Sequence, residues 1–171
     1  MITKHNIGID MIDKIYHIAD IHVRNVKRHK EYRSVFKRLY HFLKKDKTEN
    51  SVIYVAGDIV HAKTDMSPEL IDLVQDFFKS LADLAPTIVI IGNHDCNLNN
   101  SYRLDALTPI ITALQHNNLF YFKESGLHEM GGVVFNHMSV IDAPKDYIRA
   151  KSFKANYKIA LHHGAVNNAT T

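Results

Sequence analysis

Four short clusters in this chain carry side chains that bind metal ions or move protons. They are Asp20-Ile21-His22, Gly57-Asp58-Ile59-Val60-His61, Gly92-Asn93-His94-Asp95 and His162-His163-Gly164. Carboxylate, imidazole and amide oxygen together suit Mn2+, Fe2+ or Zn2+. Two such ions held about 3.5–4 Å apart can clamp a phosphoryl group and activate a water. Asp58 has the character of a carboxylate that bridges them. Taken singly the clusters are weak signals, since Asp-x-His arises by chance and Gly-Asp after a strand is often only a turn. Their joint occurrence in this order is what singles out a site.

Each cluster follows a run suited to a strand. These runs cover residues 14–19, 51–56, 87–91 and 158–161. The third, Thr87-Ile88-Val89-Ile90-Ile91, is unbroken, as in a strand covered on both faces. Between the first two, Tyr32, Val35, Phe36, Leu39, Tyr40, Phe42 and Leu43 fall at helical spacing over residues 30–45. Between the second and third, Ser67-Pro68-Glu69 is a helix start, followed by Leu70, Ile71, Val74, Phe77, Phe78 and Leu81 on one face. A short helix begins at Thr108-Pro109. Residues 119–122, 131–135 and 138–141 are further β-type runs, and residues 1–13 read as a lead-in. Alternating strands and helices predict a parallel sheet, whose carboxyl-end edge gathers the clusters. The later runs extend that sheet or form a second one. One domain over residues 1–171 is expected.

Composition narrows the class. The chain has 171 residues, enough for one core, with 46% apolar and 23% charged residues, as in ordinary globular proteins. The formal charge of +3 permits a nucleic-acid partner without arguing for one. Arg24, Lys27, Arg28, Lys30, Arg33, Lys37 and Arg38 are the nearest thing to a basic cluster. They read as a solvated helix face before a phosphate-tracking patch. A single cysteine, Cys96, excludes an internal disulfide framework and a Cys-based zinc site. That fits a reducing compartment, the cytoplasm with its nucleoid, the nucleus or a viral replication site. No apolar run reaches the roughly 18 residues needed to cross a bilayer, and residues 1–10 contain no signal-peptide core. No membrane partner is expected. Of the histidines, His17, His41, His116, His128 and His137 fit no recurrent ligand spacing and read as surface or core residues.

The four clusters, in this order, resemble those of the calcineurin-like metallophosphoesterases. Within that family the chain is most similar to the SbcD-type DNA repair nucleases, phage and viral members included. Gly132-Val133-Val134-Phe135 and Ile159-Ala160-Leu161-His162-His163-Gly164 carry the likeness along nearly the whole chain. The resemblance implies an α/β fold of central β-sheets in a sandwich, flanked by helices. It implies two divalent ions, Mn2+ foremost, with Mg2+, Fe2+ and Zn2+ as alternatives. Asp20 and His22 would hold the first ion, Asp58 would bridge both, and Asn93 would bind the second. His94 would be the acid that meets the leaving oxygen, with Asp95 orienting or charging it. His61 would help position DNA for exonuclease action. The later ligand would be His163, or His162 instead, since the two point to opposite faces of a strand.

The same resemblance implies a DNA exo- and endonuclease of repair or recombination. It implies a coiled-coil ABC ATPase partner of the SbcC type. A homodimer would form through helices near residues 67–84 and 101–115, and an exposed Phe77 or Phe78 would mark it. One departure stands out: the family follows its late histidine with Gly-His-x-His, and residues 165–171 supply none. The expectation is a domain incomplete at its carboxyl end, with weak metal binding and little nuclease activity. The rival expectations are a phosphoesterase acting on phosphoprotein or a cyclic nucleotide, and a non-catalytic scaffold.

Overall fold

The structure, a computed structural model, describes residues 1–100 and 102–164. Among them are eight strands: β1 (Ile2–Lys4), β2 (Lys14–Ile18), β3 (Ser51–Val55), β4 (Thr87–Ile90), β5 (Leu119–Phe122), β6 (Gly126–Met130), β7 (Val133–Met138) and β8 (Tyr157–His162). Three α-helices accompany them: α1 (His29–Asp46), α2 (Pro68–Leu84) and α3 (Leu107–Leu114). Short 3-10 turns at Pro144–Asp146 and Ala150–Ser152 lie between β7 and β8.

The first sheet has the order β2-β3-β4-β5, and all its neighbours are parallel. Alternation along its central strands sorts two cores. Ile53, Val55 and Val89 face the helices and meet Phe36, Leu43, Leu70, Val74, Phe77 and Leu81. Val52, Tyr54, Ala56, Ile88 and Ile90 face the other way, onto Met130, Val133, Phe135 and Leu161 of the second sheet. That is why β3 and β4 read as unbroken apolar runs: both of their faces are covered. The helices therefore occupy one side of the sandwich and a sheet occupies the other.

The second sheet has the order β1-β6-β7-β8. Its β6–β7 hairpin turns on Gly131 and Gly132, with φ 47° and 73°. A two-residue turn with both φ positive matches the twist of the flanking strands, and glycine adopts it without strain. Two sequence expectations change here. Residues 2–4 belong to the sheet, because Ile2 pairs with Leu127 in a parallel ladder. The run expected over 138–141 stops at Met138 because Ser139 turns inward, its hydroxyl donating to the Lys123 carbonyl at 2.5 Å.

The helix signals hold. Ser67 caps α2, its Oγ accepting from Leu70 N at 3.3 Å, with Pro68 in the first turn. Arg33 of α1 donates to Asp72 and Asp76 of α2, joining the two helices. Phe77 and Phe78 are both fully buried in the helix-side core, so the exposed aromatic sought as the mark of a dimer face is absent. Among the described residues no helix is long and apolar enough to cross a membrane.

Candidate metal centre

The site is built where β2, β3, β4 and β8 end. The segments after β2 and β3 are zipped together by main-chain bonds. His22 N donates to Asp58 O at 2.9 Å, Val23 N to Ile59 O at 2.8 Å, and His61 N to Val23 O at 3.0 Å. The turn carrying Asp58 and the one after β4 come into near contact at Gly57 and Gly92. A Cβ on Gly57 would lie 2.8 Å from Gly92 Cα, and one on Gly92 would collide with the Asp58 backbone and carboxylate. Only glycine permits that approach. Asp20, His22 and Asp58 all adopt left-handed backbone, with φ 54°, 48° and 52°. Non-glycine residues held there cost free energy, and such strain gathers at functional sites.

Asp58 is the hub. Its side chain is buried, Oδ1 accepts from His94 N at 2.9 Å, and Oδ2 lies 3.5 Å from His22 Nε2 and 3.3 Å from His163 Nε2. His22 Nε2 is also 3.8 Å from Asp20 Oδ1. His163 Nδ1 lies 2.6 Å from the Ala56 carbonyl, so Nδ1 carries the proton and Nε2 presents a lone pair. That lone pair faces Asn93 Oδ1 at 3.1 Å as well as Asp58. A divalent cation between these three electron-rich atoms would offset their mutual repulsion. One potential ligand atom from each of Asp20, His22 and Asp58 lies within 4.8 Å of the others, and the same holds for His22, His61 and His94. The donor set fits two divalent ions that share Asp58.

His94 is held differently. Its Nδ1 lies 2.8 Å from the His61 carbonyl, so that nitrogen donates and Nε2 carries the lone pair. Its ring stands perpendicular to that of His22, with centroids 4.7 Å apart. The recess, about 470 Å³, is lined by Asp20, Asp58, Asn93, His94, His162 and His163 among others. A separate apolar cleft of about 330 Å³ between α1 and β2 holds none of these groups.

Residues 13–170 match the family described as calcineurin-like phosphoesterase. The chain belongs to that family. A viral relative, the uncharacterized protein R555 of Acanthamoeba polyphaga mimivirus, is 47% identical over 170 residues. That alignment covers 94% of this chain and 13% of the relative, so the chain spans about an eighth of the relative's length. Among solved structures, the nuclease MPE of Pseudomonas putida is 20% identical, with a TM-score of 0.44 over 72% of this chain and 54% of that one.

The expectations for single residues meet this geometry unevenly. Asp20, His22, Asp58, Asn93 and His163 come together. His162 lines the same recess with its Nδ1 likewise held by a carbonyl, that of Met138 at 2.7 Å, but it is exposed, whereas His163 Nε2 lies against Asp58 and Asn93. Asp95 departs from the role expected for it. It does not touch the His94 ring; Oδ1 accepts from Ile59 N and Val60 N, and Oδ2 from Gly92 N, at 2.9–3.0 Å. It pins the turn after β3 to the turn after β4. Burial pushes its carboxyl up to about 7, against the three N–H donors that favour the charged form. His61 has its proton affinity lowered, first by desolvation and then by Arg24, His22 and His94.

Two features escaped the motif reading. His17 lines the recess although it matches no ligand pattern; its place three residues before Asp20, on the strand that ends there, was the available signal. Lys63, two residues past His61, lines an adjoining recess with His94.

Proposed function

We propose that this chain is the catalytic domain of a metal-dependent phosphodiesterase acting on DNA, of the SbcD type. The observation that carries the reading is Asp58: a buried carboxylate with one oxygen fixed by His94 N–H and the other between two imidazoles. Asp20, His22 and Asp58 would hold one ion; Asp58, Asn93 and His163 would hold the other. Mn2+ is the proposed metal. When bound, the pair would neutralise developing phosphate charge and lower the pKa of a water.

The chain's own groups supply the rest. The His61 carbonyl fixes His94 Nδ1–H, so Nε2 is the atom that holds or delivers a proton to a leaving oxygen. Asp95 contributes indirectly, by holding the Asp58 and His94 turns in register. His61, at the mouth, contacts the nucleic acid. A repair or recombination role, a coiled-coil ABC ATPase partner and a second copy of the chain belong to the same proposal.

A substrate panel with Mn2+ tests the reading. Hydrolysis of bis(p-nitrophenyl) phosphate and of single- or double-stranded DNA is expected, and p-nitrophenyl phosphate should be a poor substrate. Preference for the monoester would overturn it.

A further inference from the structure

We propose that Arg24 and Lys63 form a subsite for the backbone phosphate next to the one hydrolysed, so that the site selects a polynucleotide over a lone phosphoester. The proposal rests on the phosphodiesterase reading above. Two recesses meet at Asn93 and His94. One carries Asp20, Asp58 and His163. The other, about 270 Å³, is bounded by His61, Ala62, Lys63 and Thr64 and contains no carboxylate. A phosphate centred on the first recess would have its neighbour along the strand beside the second, where a cation already stands.

Arg24 lies on the segment that runs beside the one carrying Lys63. It follows Val23, which pairs with Val60 and accepts from His61 N. Next to it, Asn25 Nδ2 donates to Asp65 Oδ1 at 2.6 Å. The segments bearing Arg24 and Lys63 are thus joined on both flanks. Among the described residues no carboxylate is paired with either cation, whereas Arg28, Arg33 and Lys79 are paired and Lys27, Lys30, Lys37 and Arg38 are not. Unpaired cations beside a recess without carboxylates are available to an anion. The Arg24 segment also stores strain: Val26 has φ 55° although it is β-branched, and its side chain is 75% exposed, so packing does not explain the conformation.

Binding of a fluorescein-labelled single-stranded oligonucleotide, followed by anisotropy in EDTA, tests this without turnover. Arg24→Gln and Lys63→Gln should each weaken binding about tenfold and lower the log–log salt slope by about 0.7. Arg24→Lys should restore most of the affinity, and Lys79→Gln should change nothing. Replacing single phosphates with neutral methylphosphonate should weaken wild-type binding at one position, with no further loss there in Lys63→Gln. With Mn2+, KM for the oligonucleotide should rise at unchanged kcat, while hydrolysis of bis(p-nitrophenyl) phosphate stays constant. Unchanged affinity and salt slope in both variants would overturn the subsite, as would an equal loss with the small diester. If neither substrate is hydrolysed but binding still depends on Arg24 and Lys63, the phosphodiesterase reading fails and the anion site stands.

Discussion

His22, His61, His94 and His163 gather at the carboxyl edge of the first sheet, while His5, His128 and His137, on or beside the second sheet, gather around Phe122 of β5. At the first place imidazole nitrogens face Asp58 and Asn93, and Asp20, His22 and Asp58 sit in left-handed backbone. At the second, the His128 ring stacks on Phe122 with centroids 3.6 Å apart, and His5 Nε2 meets His128 Nδ1 at 3.0 Å. His137 Nδ1 bonds the Glu124 carbonyl, and the Nε2 atoms of His128 and His137 are buried without a partner. Burial pushes both His128 and His137 down to about 4. The same residue type is placed to ligate where carboxylates surround it and packs where aromatic carbon does. Neighbours supplied by the fold decide which.

The largest way to break this contrast is from within the site. Asp95→Ala leaves three buried N–H groups unpaired and should cost about 4 kcal/mol in urea unfolding, showing that one site residue is architectural. A loss under about 1 kcal/mol would mean the turns hold without it.

The next effect belongs to the buried histidines. His137 titrates near 6.5 when unfolded and at about 4 when folded, so the folded state favours the neutral ring. Its contribution is present above about pH 6.5 and is lost as pH falls from there to about 4, up to about 3 kcal/mol. Thermal unfolding from pH 7.5 to 4.5 should show the decline, and His137→Gln should flatten it. An equally steep decline in His137→Gln would place the sensitivity elsewhere.

His163→Ala sharpens the contrast in the opposite sense. Mn2+ affinity by calorimetry should fall about 100-fold, or about 2.7 kcal/mol, with little change in melting temperature. His162→Ala should leave the affinity alone; a comparable drop would move the ligand to His162. Smallest, and remote from both places, Ser67→Ala should cost α2 about 1 kcal/mol.

Much of this was legible in the residues. The runs ending at Ala56 and Ile91 announced strands covered on both faces, and Ser67-Pro68 announced α2. The ligand candidates were readable because each follows a strand that the sheet order aligns. What could not be read depends on atoms brought together from afar. β1 is three residues long and its partner lies near residue 127, so no local period marks it. The Asp95 carboxylate could be assigned only once the amides of Ile59, Val60 and Gly92 were placed around it. Whether Phe77 or Phe78 is exposed depends on the packing around α2, and one core absorbs both.

Electron paramagnetic resonance of the protein at saturating Mn2+, compared with Asp58→Asn and His94→Ala, tests the central claim that Asp58 joins two ions. The account predicts a spin-coupled Mn2+ pair in the wild type and in His94→Ala, and only uncoupled ions in Asp58→Asn. A coupled pair that survives Asp58→Asn, or a site emptied by His94→Ala, would contradict it.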